Sequence, residues 1–297
     1  MNTFGARVWT DHTGWVDATS RVVRATDRGL LYGLGVFETF RSRGGRFFRF
    51  EKHLARMCNS AAGLEITPPD LDRVIDAVED GLQQFEGADI IYRVSLTPGS
   101  GWPYPDKGNT ANLILLARPV NEVSVHPIRL AVSRYSRQSG SASSGWKTLN
   151  YLESALSLDE AKKQGFDDTI LLDRSGRVSE TSVGNLFFIH NSRLYTPALF
   201  TGALPGIMRE EVLRLSDKLG IRTIQGGYPL EKILRSDAVF VSNSIIGIKP
   251  VSQAGTIPLP IASANEIFSA IKIYLADVID AEARTVEDIR QGMRELL

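Results

Sequence analysis

The chain is poor in the residues that several chemistries require. It has one cysteine, Cys58, in 297 residues, which excludes an internal disulfide and leaves too few thiolates for a zinc or iron–sulfur centre. Its four histidines, His12, His53, His126 and His190, stand far apart, so none forms a helical metal pair and no metal is expected. Neither sign of charge dominates: 34 basic residues against 34 acidic ones remove the electrostatic case for nucleic acid or an anionic membrane as a partner. No segment approaches the ~20 continuous apolar residues of a membrane span. Met1 to Thr10 lacks a basic stretch followed by an apolar run. These absences lead to the expectation of a cytoplasmic protein that acts on a small molecule.

What is present suits a large buried core, with 43% hydrophobic and 23% charged residues close to globular averages. The length favours two lobes over one. Short β-branched and aromatic runs at Ala6 to Thr10, Val36 to Arg41, Asp89 to Leu96 and Ala111 to Ala117 predict strands. Apolar residues three and four apart predict helices over Glu51 to Leu64 and Pro69 to Phe85. Residues 1–120 are therefore expected to form a smaller α+β domain, and the polar, proline-flanked stretch 121–127 a linker. Residues 128–297 are expected to form a second domain that carries Lys147. There, predicted helices (Tyr151 to Gln164, Ile207 to Leu219, Ala264 to Ala281) alternate with predicted strands (Ile128 to Ser133, Thr169 to Leu172, Asn185 to Ile189, Ile221 to Ile224, Ala238 to Val241). Ser136 to Ser144 reads as a flexible polar loop.

Six short motifs stand out. Three glycines in Asp27 to Gly35 precede a β-rich run, Val36-Phe37-Glu38-Thr39-Phe40-Arg41, and permit close backbone approach. His53-Leu54-Ala55-Arg56 puts a guanidinium on a helix, where it is either solvated or a phosphate ligand. Lys147-Thr148-Leu149-Asn150-Tyr151-Leu152 sets a lysine before a helix, where burial would make its amine a nucleophile. Glu180 lies between two strand-like runs. Leu204-Pro205-Gly206-Ile207-Met208-Arg209 opens a helix, so the amides of Ile207 and Met208 either simply start that helix or bind an anion. Val241-Ser242-Asn243-Ser244 places hydroxyls at a strand end. Taken singly, each motif has a plain structural explanation.

Their joint order resembles that of the fold-type IV, class IV aminotransferase-like enzymes that use pyridoxal 5'-phosphate. The matching runs are YGLGVFETFR from Tyr32, HLAR from His53, KTLNYL from Lys147, SETSVGNLF from Ser179, LPGIMR from Leu204 and SNSIIGIKPV from Ser242. The resemblance implies a two-domain α+β/α/β fold with a mixed, barrel-like sheet in the larger C-terminal domain, and a homodimer. It also implies site roles. Lys147 would carry the cofactor and shuttle protons, and Glu180 would pair with the pyridine nitrogen. Arg56, the amides of Ile207 and Met208, and the Ser244 hydroxyl would hold the phosphate, and Tyr151 would reach the phenolic oxygen. The substrate would be a small amino compound.

Phe37-Glu38-Thr39, Leu96 to Gly101 and Ser242 to Ile248 are more similar to aminodeoxychorismate lyases than to branched-chain or D-amino-acid transaminases, which remain the alternative. Thr39 matches a threonine implicated in proton handling in the lyases. Trp102-Pro103-Tyr104-Pro105 stands where many lyases have an arginine, so Arg93 or Arg41 would have to meet the substrate carboxylate. A non-catalytic binding protein on this scaffold is disfavoured by the joint presence of Lys147 and Glu180. A dinucleotide oxidoreductase is disfavoured because no G-x-G-x-x-G lies between a strand and a helix.

Overall fold

The computed structural model describes residues 5–101, 110–120, 124, 126–141 and 144–294. The chain forms two compact units. The first comprises Met1–Glu122, Trp146–Asn150 and Glu282–Leu297, and the second Val123–Gly145 and Tyr151–Ala281. Lys147 thus belongs to the first unit rather than to the expected C-terminal domain, as does the end of the chain. Most of the expected linker lies outside the described residues.

In the first unit, β1 (Arg7–Thr10), β2 (Gly14–Asp17), β3 (Val36–Arg43), β4 (Arg46–Phe47), β5 (Ile90–Thr97) and β6 (Asn112–Pro119) form an antiparallel sheet in the order β2-β1-β6-β5-β3-β4. Its helices are α1 (Arg28–Tyr32), α2 (Phe50–Gly63) and α3 (Leu71–Gln83). The two longer helices form where the apolar spacing predicted them. Alternation along β3 buries Val36, Phe40 and Ser42 on one face, against α2, and turns Phe37 and Thr39 to the other. Phe40 lies within 6 Å of the rings of Phe47, Phe50 and Tyr92, at centroid distances of 5.9, 4.9 and 5.6 Å. Emptying such a position costs about 3–5 kcal/mol, so this cluster fixes the helix against the back of the sheet.

The second unit contains β7 (Ile128–Arg137), α4 (Leu152–Lys163), β8 (Asp168–Asp173), β9 (Arg177–Thr181), β10 (Asn185–His190), β11 (Arg193–Pro197), α5 (Ile207–Lys218), β12 (Thr223–Gly226), β13 (Tyr228–Pro229), α6 (Leu230–Leu234), β14 (Ala238–Asn243), β15 (Gly247–Ala254), β16 (Ile257–Pro258) and α7 (Glu266–Glu282). Its strands form a ten-stranded mixed sheet. Leu130, Ile170, Leu186, Phe188, Val239 and Val251 are fully buried in its core. β7 runs on through Ser136 and Arg137, so the start of the expected polar loop is strand, extended by its pairing with Leu172 and Asp173 of β8. The chain ends with α8 (Val286–Arg294), whose Val286 and Ile289 enter the core of the first unit. No helix among the described residues is long and apolar enough to cross a membrane.

Candidate active site

In the first unit the Lys147 segment is bound to the start of β3. Lys147 C=O accepts from Phe37 N–H at 2.9 Å, and Leu149 N–H donates to Gly35 C=O at 2.9 Å. This pairing explains why Lys147 joins the first unit. Gly35 makes it possible, because a Cβ there would lie 2.5 Å from Leu149 Cδ1 and 2.7 Å from the Leu96 carbonyl oxygen.

The half-buried lysine places Nζ 4.4 Å from the centroid of the Phe37 ring, and the Arg93 guanidinium lies 3.6 Å from the same centroid. Thr39 pairs with Arg93 across β3 and β5 and shares the face of Phe37. Lys147, Phe37, Thr39 and Arg93 therefore form one cluster with two cations on an aromatic ring, a surface suited to an anionic substrate. Arg41, the other arginine considered for a carboxylate, donates to Asp89 at 2.9 Å. Trp102-Pro103-Tyr104-Pro105 lies outside the described residues.

Glu38 does not join that cluster. It points to the other face, fully buried, and accepts from Arg56 Nε at 2.7 Å, Arg56 Nη2 at 2.8 Å and His53 Nδ1 at 2.7 Å. Burial pushes its carboxyl up, but the bonds from Arg56 and His53 and the arginine charge outweigh this and pull it down to about 2. An ionised carboxylate only accepts, so His53 carries its proton on Nδ1. Burial pulls the imidazole below its ordinary value, against the opposing pull of Glu38. In the sequence Glu38 stands between the substrate-side candidates Phe37 and Thr39. Strand alternation separates it from them.

The second unit carries the other candidate residues. Glu180, on β9, is buried. Its Oε2 accepts from Leu204 N–H at 3.0 Å, and its Oε1 pairs with Arg137 Nε at 3.0 Å. Tyr151 donates its hydroxyl to the Ser182 carbonyl. Ile207 and Met208 occupy the first turn of α5, whose earliest amides have no partner within the helix. The approach to this turn is tight: a Cβ on Gly206 would lie 2.0 Å from Asn185 Oδ1, and Asn185 Nδ2 donates to the Leu204 carbonyl at 2.9 Å. Ser244 follows β14 in a turn fixed by Asn243 Oδ1, which accepts from the amides of Ile245 and Ile246 at 2.9 Å each.

Two residues here carry no assigned role from the sequence. Arg137 reaches Glu180 from the end of β7. Arg209 is buried, donates to Pro197 C=O at 3.1 Å and Gln225 Oε1 at 2.7 Å, and has no partner for Nε. Burial lowers its guanidinium below the usual arginine value, opposed by the charge of Glu180. Among the described residues no carboxylate forms an ion pair with it. A buried guanidinium on the first turn of α5 makes this region receptive to an anion. The final position of the LPGIMR run was the sequence signal for Arg209, whereas the pairing of Arg137 depends on β7 extending past Ser133.

With the fold and these side chains in view, comparison with known proteins defines the class. The family model for amino-transferase class IV matches residues 35–254, and the chain belongs to this family. Among its relatives, a branched-chain-amino-acid aminotransferase of Salmonella typhimurium is 30% identical over 254 residues, covering 80% of each chain. An aminodeoxychorismate lyase of Vibrio harveyi is 27% identical over 244 residues, covering 80% of this chain and 90% of the lyase. The solved branched-chain amino acid aminotransferase of Escherichia coli superposes with a TM-score of 0.84 at 25% identity, covering 94% of this chain and 98% of that one. The architecture is the expected two-domain, fold-type IV arrangement of helices and mixed sheet.

Proposed function

We propose that the protein is a pyridoxal 5'-phosphate-dependent aminodeoxychorismate lyase that releases pyruvate and leaves 4-aminobenzoate, and that it works as a homodimer in the cytoplasm. The observation that carries this reading is the placement of Thr39 on the face of β3 that also presents Phe37, with Lys147 Nζ and Arg93 both over the Phe37 ring. A hydroxyl is thereby placed on the lysine-bearing face, as the lyase resemblance requires.

The side chains fit the cofactor. Lys147 supplies an amine to hold it. Glu180 is a buried carboxylate fixed by Leu204 N–H and Arg137, the kind of acceptor that a protonated pyridine nitrogen needs. The α5 N-terminus and the buried Arg209, whose Nε has no hydrogen-bond partner, favour a phosphate. Bound pyridoxal 5'-phosphate supplies an electron sink for the charge left at a carbon beside the substrate amine.

The chain supplies the rest. Lys147 Nζ takes the proton from that carbon, and the Thr39 hydroxyl passes a proton within the same cluster. Glu180 keeps the ring nitrogen protonated. Arg56, Ile207, Met208 and Ser244 hold the phosphate, and Tyr151 orients the ring. Arg93 meets the substrate carboxylate as an alternative to the missing arginine, since Arg41 is engaged with Asp89.

Incubation of the purified protein with aminodeoxychorismate tests this reading, with 4-aminobenzoate and pyruvate as the expected products. The Salmonella relative supports a second reading, a transaminase for branched-chain, D-amino or other amino compounds. Absence of 4-aminobenzoate, together with transfer of an amino group to 2-oxoglutarate, would establish that reading instead.

A further inference from the structure

Glu38 has no exposed surface, yet it is ionised and accepts from two side chains on α2, His53 and Arg56. His53 and Arg56 are three residues apart on that helix, so both face β3. The carboxylate grips the guanidinium along its Nε/Nη2 edge, at 2.7 and 2.8 Å. Such a fork fixes both the plane and the direction of a side chain that otherwise samples many rotamers. His53 secures the carboxylate in turn. A buried ion pair is a poor source of stability compared with apolar packing of the same volume, so its value here lies in the orientation it imposes.

We infer that Glu38 is a positioning residue for the cofactor phosphate: by gripping Arg56 along its Nε/Nη2 edge it fixes the direction in which the guanidinium meets that phosphate. The inference rests on the proposed role of Arg56 as a phosphate ligand. Glu38 acts only through Arg56 and touches neither substrate nor cofactor. Its loss must therefore show on the phosphate and not on the rest of the cofactor, a distinction that general loosening of the fold would not produce.

The test measures binding of pyridoxal 5'-phosphate and of phosphate-free pyridoxal to the apo-protein by quenching of tryptophan fluorescence. Glu38→Gln is expected to weaken pyridoxal 5'-phosphate by about tenfold to a hundredfold, the range for outer-shell partners, and to leave pyridoxal unchanged. In an Arg56→Ala background the same substitution is expected to have no further effect, because the two act as one unit. Unchanged or tighter binding of pyridoxal 5'-phosphate, or equal loss of both vitamers, would overturn the inference. If the Gln variant does not fold, Glu38→Asp keeps the charge on a shorter arm, and the same outcomes apply. A wild-type protein that takes up the cofactor on Lys147 while Glu38→Gln binds it equally well refutes this inference alone. A wild-type protein that binds neither vitamer refutes the proposed function with it.

Discussion

Arg93 stacks its guanidinium 3.6 Å from the centroid of the Phe37 ring, and so stands on the Lys147 side of the first sheet. The arrangement distinguishes it from Arg41, which is spent on Asp89. Arg93→Ala is expected to lower kcat/KM for the carboxylate substrate by roughly tenfold to a hundredfold, the worth of one charge-assisted hydrogen bond. Arg41→Ala should leave kcat/KM nearly unchanged. Steady-state kinetics of the two variants provide the check, and the reverse pattern would transfer the role to Arg41.

Thr39 should matter to turnover and not to cofactor retention. Thr39→Val keeps the shape of the side chain and removes the hydroxyl. If the hydroxyl moves a proton, kcat should fall by about a hundredfold or more, the typical worth of general acid–base catalysis. The visible absorbance of the bound cofactor should persist. An undiminished kcat would remove Thr39 from the mechanism.

Glu38 predicts a pH dependence of folding. Its carboxyl is lowered from the ordinary 4.5 to about 2 in the folded state. A depressed carboxyl stabilises the fold above its unfolded value, and that contribution disappears as pH falls through its folded value. Wild-type stability should therefore decline between pH 4.5 and about 2. Glu38→Gln should be less stable near neutrality and lack that part of the decline. Urea midpoints for both proteins at pH 3 and pH 6 would show it, and parallel declines would contradict it.

Gly35 predicts a packing effect. A methyl group there would meet the Leu96 carbonyl oxygen at 2.7 Å and Leu149 Cδ1 at 2.5 Å. Gly35→Ala should therefore push the Lys147 segment away from β3 at a cost of about 1–3 kcal/mol, as overpacking does. Thermal unfolding and the fraction of protein loaded with cofactor would both fall. A variant with normal stability and loading would show that the segment gives way freely.

Much of this was legible in the residues. Apolar spacing marked α2 and α3, and β-branched runs marked β3 and β5, because both signals are local. The helix opened by Leu204 to Arg209 was equally clear. β11 (Arg193–Pro197), which ends on a proline, and β15 (Gly247–Ala254), which has Pro250 inside it, were not predicted as strands, because they are fixed by their sheet neighbours more than by local preference. The placement of Lys147 depends on backbone pairing with Gly35 and Phe37, more than a hundred residues away in the chain, which periodicity cannot reveal. Glu38 was read with its chain neighbours, whereas the pleat sends it to the opposite face with Arg56 and His53. Arg137 was read as part of a polar loop, and only the extension of β7 beside β8 brings it to Glu180.

The central claim is that Lys147 holds the cofactor covalently. Reduction of the purified protein with borohydride, followed by proteolysis and mass spectrometry, tests it directly. The account predicts a phosphopyridoxyl mass on the peptide containing Lys147, absent from Lys147→Ala. The same mass on another lysine, or an adduct that survives in Lys147→Ala, would contradict it.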